Sequence, residues 1–385
     1  MIYLDSAATS LIKPAGVERA VLNAMRTMAS PGRGGHMPAL RAAETVYSCR
    51  EAAAELFNVE DSSNVVFTMN ATHALNIAIR SLAHRGSRVV VSGFEHNSVT
   101  RPLKMIGADI RVAGTELFDS EGVLNDFESK IKDADLVVCT HVSNVFGFIL
   151  PVYEIGELCR KYSVPFIVDA SQSAGVLDVD FRRLGAAFAA MPGHKALFGP
   201  QGTGILLCGA ETKPLIAGGT GSDSIDQLMP EYLPDRLEAG THNVCGIAGL
   251  NAGLSFVHQK GRENIRMHEQ QLMQLMIKEL ESCAELELFT GGDAQCGVLS
   301  VRCGSLNCEE FASKLAAHGI CVRSGLHCAP FAHRSAGTLG TGTVRFSFSP
   351  FVSAAQVRTA AHSQRDFFYS FQPTAFSRPV TKLRY

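Results

Sequence analysis

Between residues 64 and 208 the chain alternates short β-rich runs, several of them apolar throughout, with segments of helical periodicity. No other feature of the sequence restricts the possible folds so far. The runs span 64–68, 88–92, 109–113, 135–141, 165–169, 186–191 and 203–208, and they include VVF, VVV, LVVC and FIV. A strand half-exposed to water alternates apolar and polar positions, whereas a strand covered on both faces does not. Helical segments such as 74–83 and 152–161 separate the runs. The pattern predicts an α/β fold, a mostly parallel sheet in a three-layer domain with helices on both faces.

After the glycine-rich stretch at 218–221 the rhythm changes. A long helical pattern over about 263–282 carries apolar residues at Leu272, Leu275, Met276 and Leu280. Strand-like 297–302, a helix near 309–318, runs at 320–323 and 343–348, and a last helix over 353–369 follow. This reads as a smaller C-terminal α+β domain. A length of 385 residues accommodates both units. The expected division is an N-terminal arm over 1–30 that joins the small domain, a large domain over 31–244, and the small domain over 245–370. A tail over 371–385, with two prolines and no periodicity, is expected to be surface-bound or mobile.

Composition removes several function classes. Thirty-five Lys+Arg against 37 Asp+Glu leave a formal charge of −2, which offers no basic surface to nucleic acid and no polybasic anchor to a membrane. No apolar run follows a basic patch at the N-terminus, so no signal peptide is read there. The longest unbroken apolar stretch, 186–191, falls far short of the ~18 residues a membrane span needs. Eleven cysteines without a CxxC pair support neither a zinc ribbon nor a dithiol redox site, and they fit a reducing cytoplasm. With no Gly-Lys dipeptide there is no Walker A loop, and GxGxxG after the first strand, HExxH and GxSxG are absent too.

Polar residues at strand ends remain, and in an open parallel sheet ligands bind there. Asp169 closes the run VPFIVDA, where a carboxylate beside a dry core needs a cation or full hydrogen bonding. The plainer alternative is a helix cap, because Asp169 and Gln172 have the capping-box spacing. Lys195, in the run PGHKALFG, is flanked by apolar residues and turns, and desolvation would leave more of it as free amine. Its alternative is a solvated loop lysine. Thr72 at a strand-to-helix junction suits either a phosphate cradle or an ordinary cap. His96 could stack on a planar ring or be a satisfied strand-end histidine. Taken together, a carboxylate, a lysine, a histidine and a phosphate cradle at four strand ends describe a pyridoxal phosphate pocket.

These residues lie in runs that resemble the class V, fold-type I pyridoxal-phosphate enzymes, and within them the cysteine desulfurases. The runs are YLDSAATS, RGGH at 33–36, MNATHALN, FEHNS, HVSNVFG, VDASQS, GHKALFGPQGTG, EAGTHN, RSGLHCAP and TVRFSF. The resemblance implies that Lys195 holds the cofactor as a Schiff base. Asp169 would pair with the ring nitrogen, Gln172 with the phenolic oxygen, and His96 would stack on the ring. Ala71, Thr72 and His194 fall at cofactor-binding positions, the last two at the phosphate. Thr241 matches a residue that reaches the phosphate across a homodimer interface. Asn144, Arg323, His327 and Arg345 match substrate-binding positions, with Arg345 gripping a carboxylate. Cys328 stands at the sulfur-accepting cysteine, on a short ordered loop, where Arg323 and His327 would favour the thiolate. His327, Cys328 and His333 do not by themselves make a metal site.

Two positions depart from the family's pattern: Pro192 before the Gly-His-Lys run and Ala71 before Thr72, where hydroxyl residues are frequent. The activity the resemblance implies is removal of sulfur from L-cysteine, leaving L-alanine and a persulfide on Cys328 that passes to an acceptor protein or thiol. A selenocysteine lyase acting on L-selenocysteine would use the same constellation. A class V aminotransferase would not need Cys328, and a sulfur-relay scaffold would not need Lys195.

Overall fold

The computed structural model describes residues 1–32, 34–222 and 225–369. The expected tail over 371–385 and Arg33 of the RGGH run lie outside the described residues. A first short strand, β1 (Ile2–Tyr3), precedes a seven-stranded sheet. The sheet contains β2 (Val65–Thr68), β3 (Arg88–Ser92), β4 (Asp109–Ala113), β5 (Leu136–Thr140), β6 (Phe166–Asp169), β7 (Phe188–Pro192) and β8 (Gly204–Cys208), in the order β2-β8-β7-β6-β5-β3-β4. Pairings from β4 to β7 are parallel, and β8 alone runs antiparallel to its neighbours β7 and β2. Each expected strand is present within two residues at either end.

The apolar runs are explained by what covers them. Val137, Cys139, Val168 and Ala189 pack into one core with the helices Met37–Leu56, Ser120–Ile131 and Val152–Lys161. Their neighbours Leu136, Val138, Ile167 and Phe188 pack into a second core with Ala71–Leu82 and Asn97–Ile106. Successive residues of one strand thus enter different cores, which is the three-layer arrangement.

The C-terminal part holds β9 (Leu286–Phe289), β10 (Val298–Cys303), β11 (Ile320–Cys321), β12 (Arg323–Gly325) and β13 (Thr343–Ser347). An antiparallel sheet is ordered β12-β13-β10-β9, over a core that includes Leu272, Met276 and Leu280 of the helix Arg262–Leu280. The run at 320–323 is not one strand. Its first two residues pair in parallel with β1, Ile2 against Ile320, and the chain changes partner at Val322 to join β13.

The sequence pattern did not reveal the helix Val244–Lys260. It is buried on most sides and carries glycine at 246, 249 and 253, which costs helix propensity and hides the period. Packing requires the glycine at 253. A Cβ there would lie 2.1 Å from the Leu197 carbonyl oxygen, so the helix can approach the segment after Lys195 only without one.

Candidate active site

Strands that point the same way deliver their following residues to one place. β2 runs into Ala71–Leu82, β3 leads to His96, β6 ends on Asp169, and β7 continues through Pro192 to Lys195. These segments enclose a cavity of about 170 Å3, with Thr72, His96, Asn144, Asp169, His194 and Lys195 on its wall. Ala71, Pro192 and Gln172 border it too, as does Ser98, which the sequence did not single out.

Both capping alternatives fail. Asp169 is 3% exposed, and its Oδ1 accepts from Ser171 N at 2.9 Å, but residues 171–173 form a turn with no helix to cap. The helix Ala71–Leu82 is capped by Asn70, whose Oδ1 accepts from His73 N at 2.9 Å. That leaves Thr72 Oγ1 facing Ser98 Oγ at 2.7 Å. Ser98 Oγ in turn meets His96 Nδ1 at 2.9 Å, and Ser98 N donates to the same nitrogen at 3.1 Å. Burial pushes His96 down to about 4, against the opposing pull of Asp169, so the ring is neutral with its proton on Nε2.

Burial also lowers Lys195 to about 8, although the Asp169 carboxylate favours the ammonium. Its Nζ makes no hydrogen bond among the described residues. The loop that carries it is held from the N-terminal arm. Thr9 Oγ1 and Ser10 Oγ donate to the His194 carbonyl at 3.2 and 3.0 Å, and Ser10 Oγ to the Lys195 carbonyl at 3.0 Å. Lys13 Nζ donates to the carbonyls of His194 at 3.2 Å and Gly199 at 2.8 Å, and burial lowers it, too, to about 8. Gln172 Nε2 donates to the Ala7 carbonyl at 3.0 Å. The arm's role had no sequence signal beyond its place in YLDSAATS.

Arg345, 2% exposed, sits on β13 opposite Arg323 of β12. Its Nη1 donates to the Asn144 carbonyl and its Nη2 to Asp5 Oδ1, both at 2.8 Å, while Nε is buried without a partner. Asp5 was not anticipated at this position. Each terminal nitrogen keeps one further proton that these bonds do not use.

Cys328 is exposed on the four-residue connection between β12 and the helix Pro330–Ser335. His327 and Cys328 have φ of +48° and +57°, left-handed conformations that non-glycine residues adopt at a cost. Asn144 Nδ2 holds the His327 carbonyl at 2.8 Å, and Asn97 N holds the Cys328 carbonyl at 2.7 Å. The loop is thus tied to the cavity wall beside His96. One expectation is corrected. Burial drives His327 down to about 2, helped by Arg345, so the ring is uncharged and gives the thiol no cationic help. Arg323, with no ion pair among the described residues, remains as the cation near the site.

Two further groups lie off this wall. Thr241 is exposed beside the buried pair Arg50–Glu238, where His242 Nε2 meets Glu238 Oε2 at 2.6 Å, and it does not border the cavity. Glu95, fully buried, accepts from Thr140 N at 2.7 Å and Ser92 Oγ at 2.5 Å, and burial raises it to about 8.

The family model described as aminotransferase class-V matches residues 2–359. The chain belongs to the class V aminotransferase family. It is 36% identical to a probable cysteine desulfurase of Methanothermobacter thermautotrophicus, over 93% of this chain and 92% of that one. Against a probable cysteine desulfurase of Pyrococcus abyssi the identity is 35%, with the same coverage. A solved cysteine desulfurase from Thermococcus onnurineus superposes with a TM-score of 0.89 at 30% identity, over 96% of this class V chain and 95% of its own.

Proposed function

We propose that this chain is a pyridoxal 5'-phosphate-dependent cysteine desulfurase, taking sulfur from L-cysteine and leaving L-alanine. The observation that carries the reading is the anchoring of the exposed Cys328 loop, through Asn144 and Asn97, to the cavity that holds Lys195 and Asp169. An aminotransferase has no use for a thiol fixed at that place, and a scaffold has none for the lysine.

The residues present suit the cofactor. The backbone N–H groups of Ala71 and Thr72 have no acceptor among the described residues and open at a helix N-terminus, which favours an anion. With Thr72, Ser98 and His194 they make a phosphate cradle that does not need hydroxyls at 71 and 192. When bound, the cofactor supplies an aldehyde for the lysine and a ring that absorbs carbanion charge. The neutral His96 ring stands at the cavity wall to cover it, Asp169 offers the carboxylate for its ring nitrogen, and Gln172 lies beside them.

Lys195, as free amine, removes the Cα proton of the substrate. Arg345 and Asn144 orient the substrate carboxylate, with Arg323 and His327 lining the approach. The Cys328 thiolate attacks the substrate sulfur: an S–S bond forms, the Cβ–S bond breaks, and its electron pair takes up a proton at Cβ. A persulfide stays on Cys328 for an acceptor protein or thiol.

Three finer points belong to the same proposal. The chain acts as a homodimer in which Thr241 reaches the partner's phosphate, supported by its exposure and by its lying outside the lining of its own cavity. The large unit expected over 31–244 and the small one expected from 245 are proposed to divide instead near Gly261, because Ile247, Leu250 and Leu254 share the core of the seven-stranded sheet. A cytoplasmic setting is supported by eleven cysteines without a disulfide among the described residues, and no described helix is long and apolar enough to cross a membrane. The test is product analysis with purified protein and both L-cysteine and L-selenocysteine. With dithiothreitol present to reduce the Cys328 persulfide, alanine and sulfide in equal amounts from L-cysteine are expected. Turnover of L-selenocysteine alone makes it a selenocysteine lyase, and transamination without sulfide makes it an aminotransferase.

A further inference from the structure

A second chamber of about 40 Å3 adjoins the first cavity and shares Val142, Ser171, Gln172 and Lys195 with it. Glu269, from the helix Arg262–Leu280, lines it together with Cys296 and Gly297 ahead of β10. Glu269 is 7% exposed and makes no hydrogen bond or ion pair with any described residue. A Cβ at Gly297 would lie 2.7 Å from Glu269 Cβ, so the glycine is what lets the acid stand there. Ser6 Oγ, from the N-terminal arm, lines the same chamber and is buried without a partner.

Buried polar groups find hydrogen bonds, to protein or to ordered water. One water needs about 10–15 Å3 and two to four polar partners. The chamber has that room, and Glu269, Ser6 and Lys195 are partners without other engagements. We propose that it holds ordered water joining the Glu269 carboxyl to the Lys195 amine, and that Glu269 is a positioning residue that sets how tightly Lys195 holds its proton. This rests on the reading of Lys195 as the reactive amine.

Burial, with no charged partner, raises Glu269 to about 8, and burial lowers Lys195 to about 8. Burial thus drives the two groups toward each other in proton affinity, and water between them would let one proton pass from one to the other. The pair is either acid with amine or carboxylate with ammonium, and the transfer moves one proton from oxygen to nitrogen and nothing else. Lys195 also feels Asp169 from β6, Asp5 from the arm, and Arg345 and Arg323 from the C-terminal sheet. Glu269 has Arg266 one turn earlier on its own helix and the Cys296 thiol opposite, the other titratable group on the chamber wall. The reaction gives the arrangement a use. Making L-alanine from L-cysteine takes one proton from Cα and returns protons at both Cα and Cβ, which a single amine can supply only if it is reloaded.

The test compares wild type with Glu269→Gln, which keeps shape and hydrogen bonding but does not titrate, and Glu269→Asp, which does. Two readouts follow the Lys195 proton between pH 6 and 10: the visible absorbance of the cofactor-loaded enzyme, and the rate at which acetic anhydride labels Lys195 after the cofactor is stripped. In Glu269→Gln the Lys195 midpoint should fall, by about threefold or more in proton affinity, which is about half a pH unit. The aspartate variant should keep most of the wild-type behaviour. An unchanged midpoint in Glu269→Gln overturns the proposal. If that variant does not fold, Glu269→Leu, which fills similar space without a carboxyl, takes its place, and an unchanged midpoint there overturns the proposal equally. A protein without visible absorbance at any pH overturns the proposed function, and the labelling comparison then decides this inference by itself.

Discussion

Asp169→Asn separates charge from shape at the candidate site. Asparagine fills the same space, and its Oδ1 accepts the same bond from Ser171 N, 2.9 Å away in the parent. The turn loses only the charge-assisted share of one hydrogen bond, about 1 kcal/mol, and the cost of desolvating a carboxylate disappears with it. Folding stability should therefore change by about 1 kcal/mol or less, at most a few degrees in Tm for a chain of this length. Function should respond very differently. Asp169 contributes most among the charges acting on Lys195, and its carboxylate is the proposed partner of the cofactor ring nitrogen. Losing one preorganised electrostatic partner of charge that develops in the transition state costs about 2.7–4 kcal/mol. At 1.36 kcal/mol per decade, that is a loss of roughly 10²–10³ in kcat. The assay is alanine release at saturating L-cysteine and added pyridoxal phosphate, with thermal unfolding on the same preparation. A variant with unchanged Tm and kcat within tenfold of wild type would show that the carboxylate partners nothing in the reaction, and the assignment of Asp169 would fail.

Purified protein should be yellow, and borohydride reduction should place the pyridoxyl group on Lys195. Lys13, a half-buried lysine with lowered proton affinity, is the residue whose labelling would refute this. Cys328→Ser should stop sulfide release from L-cysteine while the protein stays folded, because the side chain is exposed and the loop is held through backbone carbonyls. Normal turnover of L-cysteine by that variant, or extra sulfur found only on another cysteine by mass spectrometry, would exclude the mechanism. Glu95→Gln should gain stability over wild type as pH rises from 5 to 8. The folded acid titrates near 8 and the unfolded one near 4.5, so the folded state binds more protons across that window and wild-type stability falls by roughly 3 kcal/mol up to pH 7. A difference in Tm that stays flat with pH would refute the raised affinity.

The sheet was legible because burial on both faces leaves a direct trace in composition: LVVC and FIV became β5 and β6 within a residue or two. Helices whose packing depends on close approach were not. Twelve of the 17 residues of Val244–Lys260 are apolar or glycine, so its sequence shows no preferred face, and the close approaches of Pro200 to Gly249 and of the Leu197 carbonyl to Gly253 explain it. At the site, residues at strand ends could be picked out because each follows an apolar run. Ser98, Lys13 and Asp5 could not, since each acts on a group far away in sequence or through a backbone carbonyl. The charge of His327 was misjudged for a related reason. Its position beside Cys328 is written in the sequence, but its burial against His333 and Thr343 is not.

The N-terminal arm connects these observations. Tyr3 pairs with β11, Asp5 meets Arg345, Ala7 receives Gln172, and Thr9, Ser10 and Lys13 hold the loop of Lys195. Eleven consecutive residues thus touch the C-terminal sheet, the proposed substrate arginine and the proposed reactive lysine in turn. A shift of the arm would move the carboxylate grip and the amine together, and it would also carry Ser6 away from the second chamber. The geometry between substrate and lysine is therefore set by one continuous segment rather than by two sheets meeting independently. Such a site tolerates motion between the sheets only as far as the arm's hydrogen bonds to His194, Lys195 and Gly199 persist.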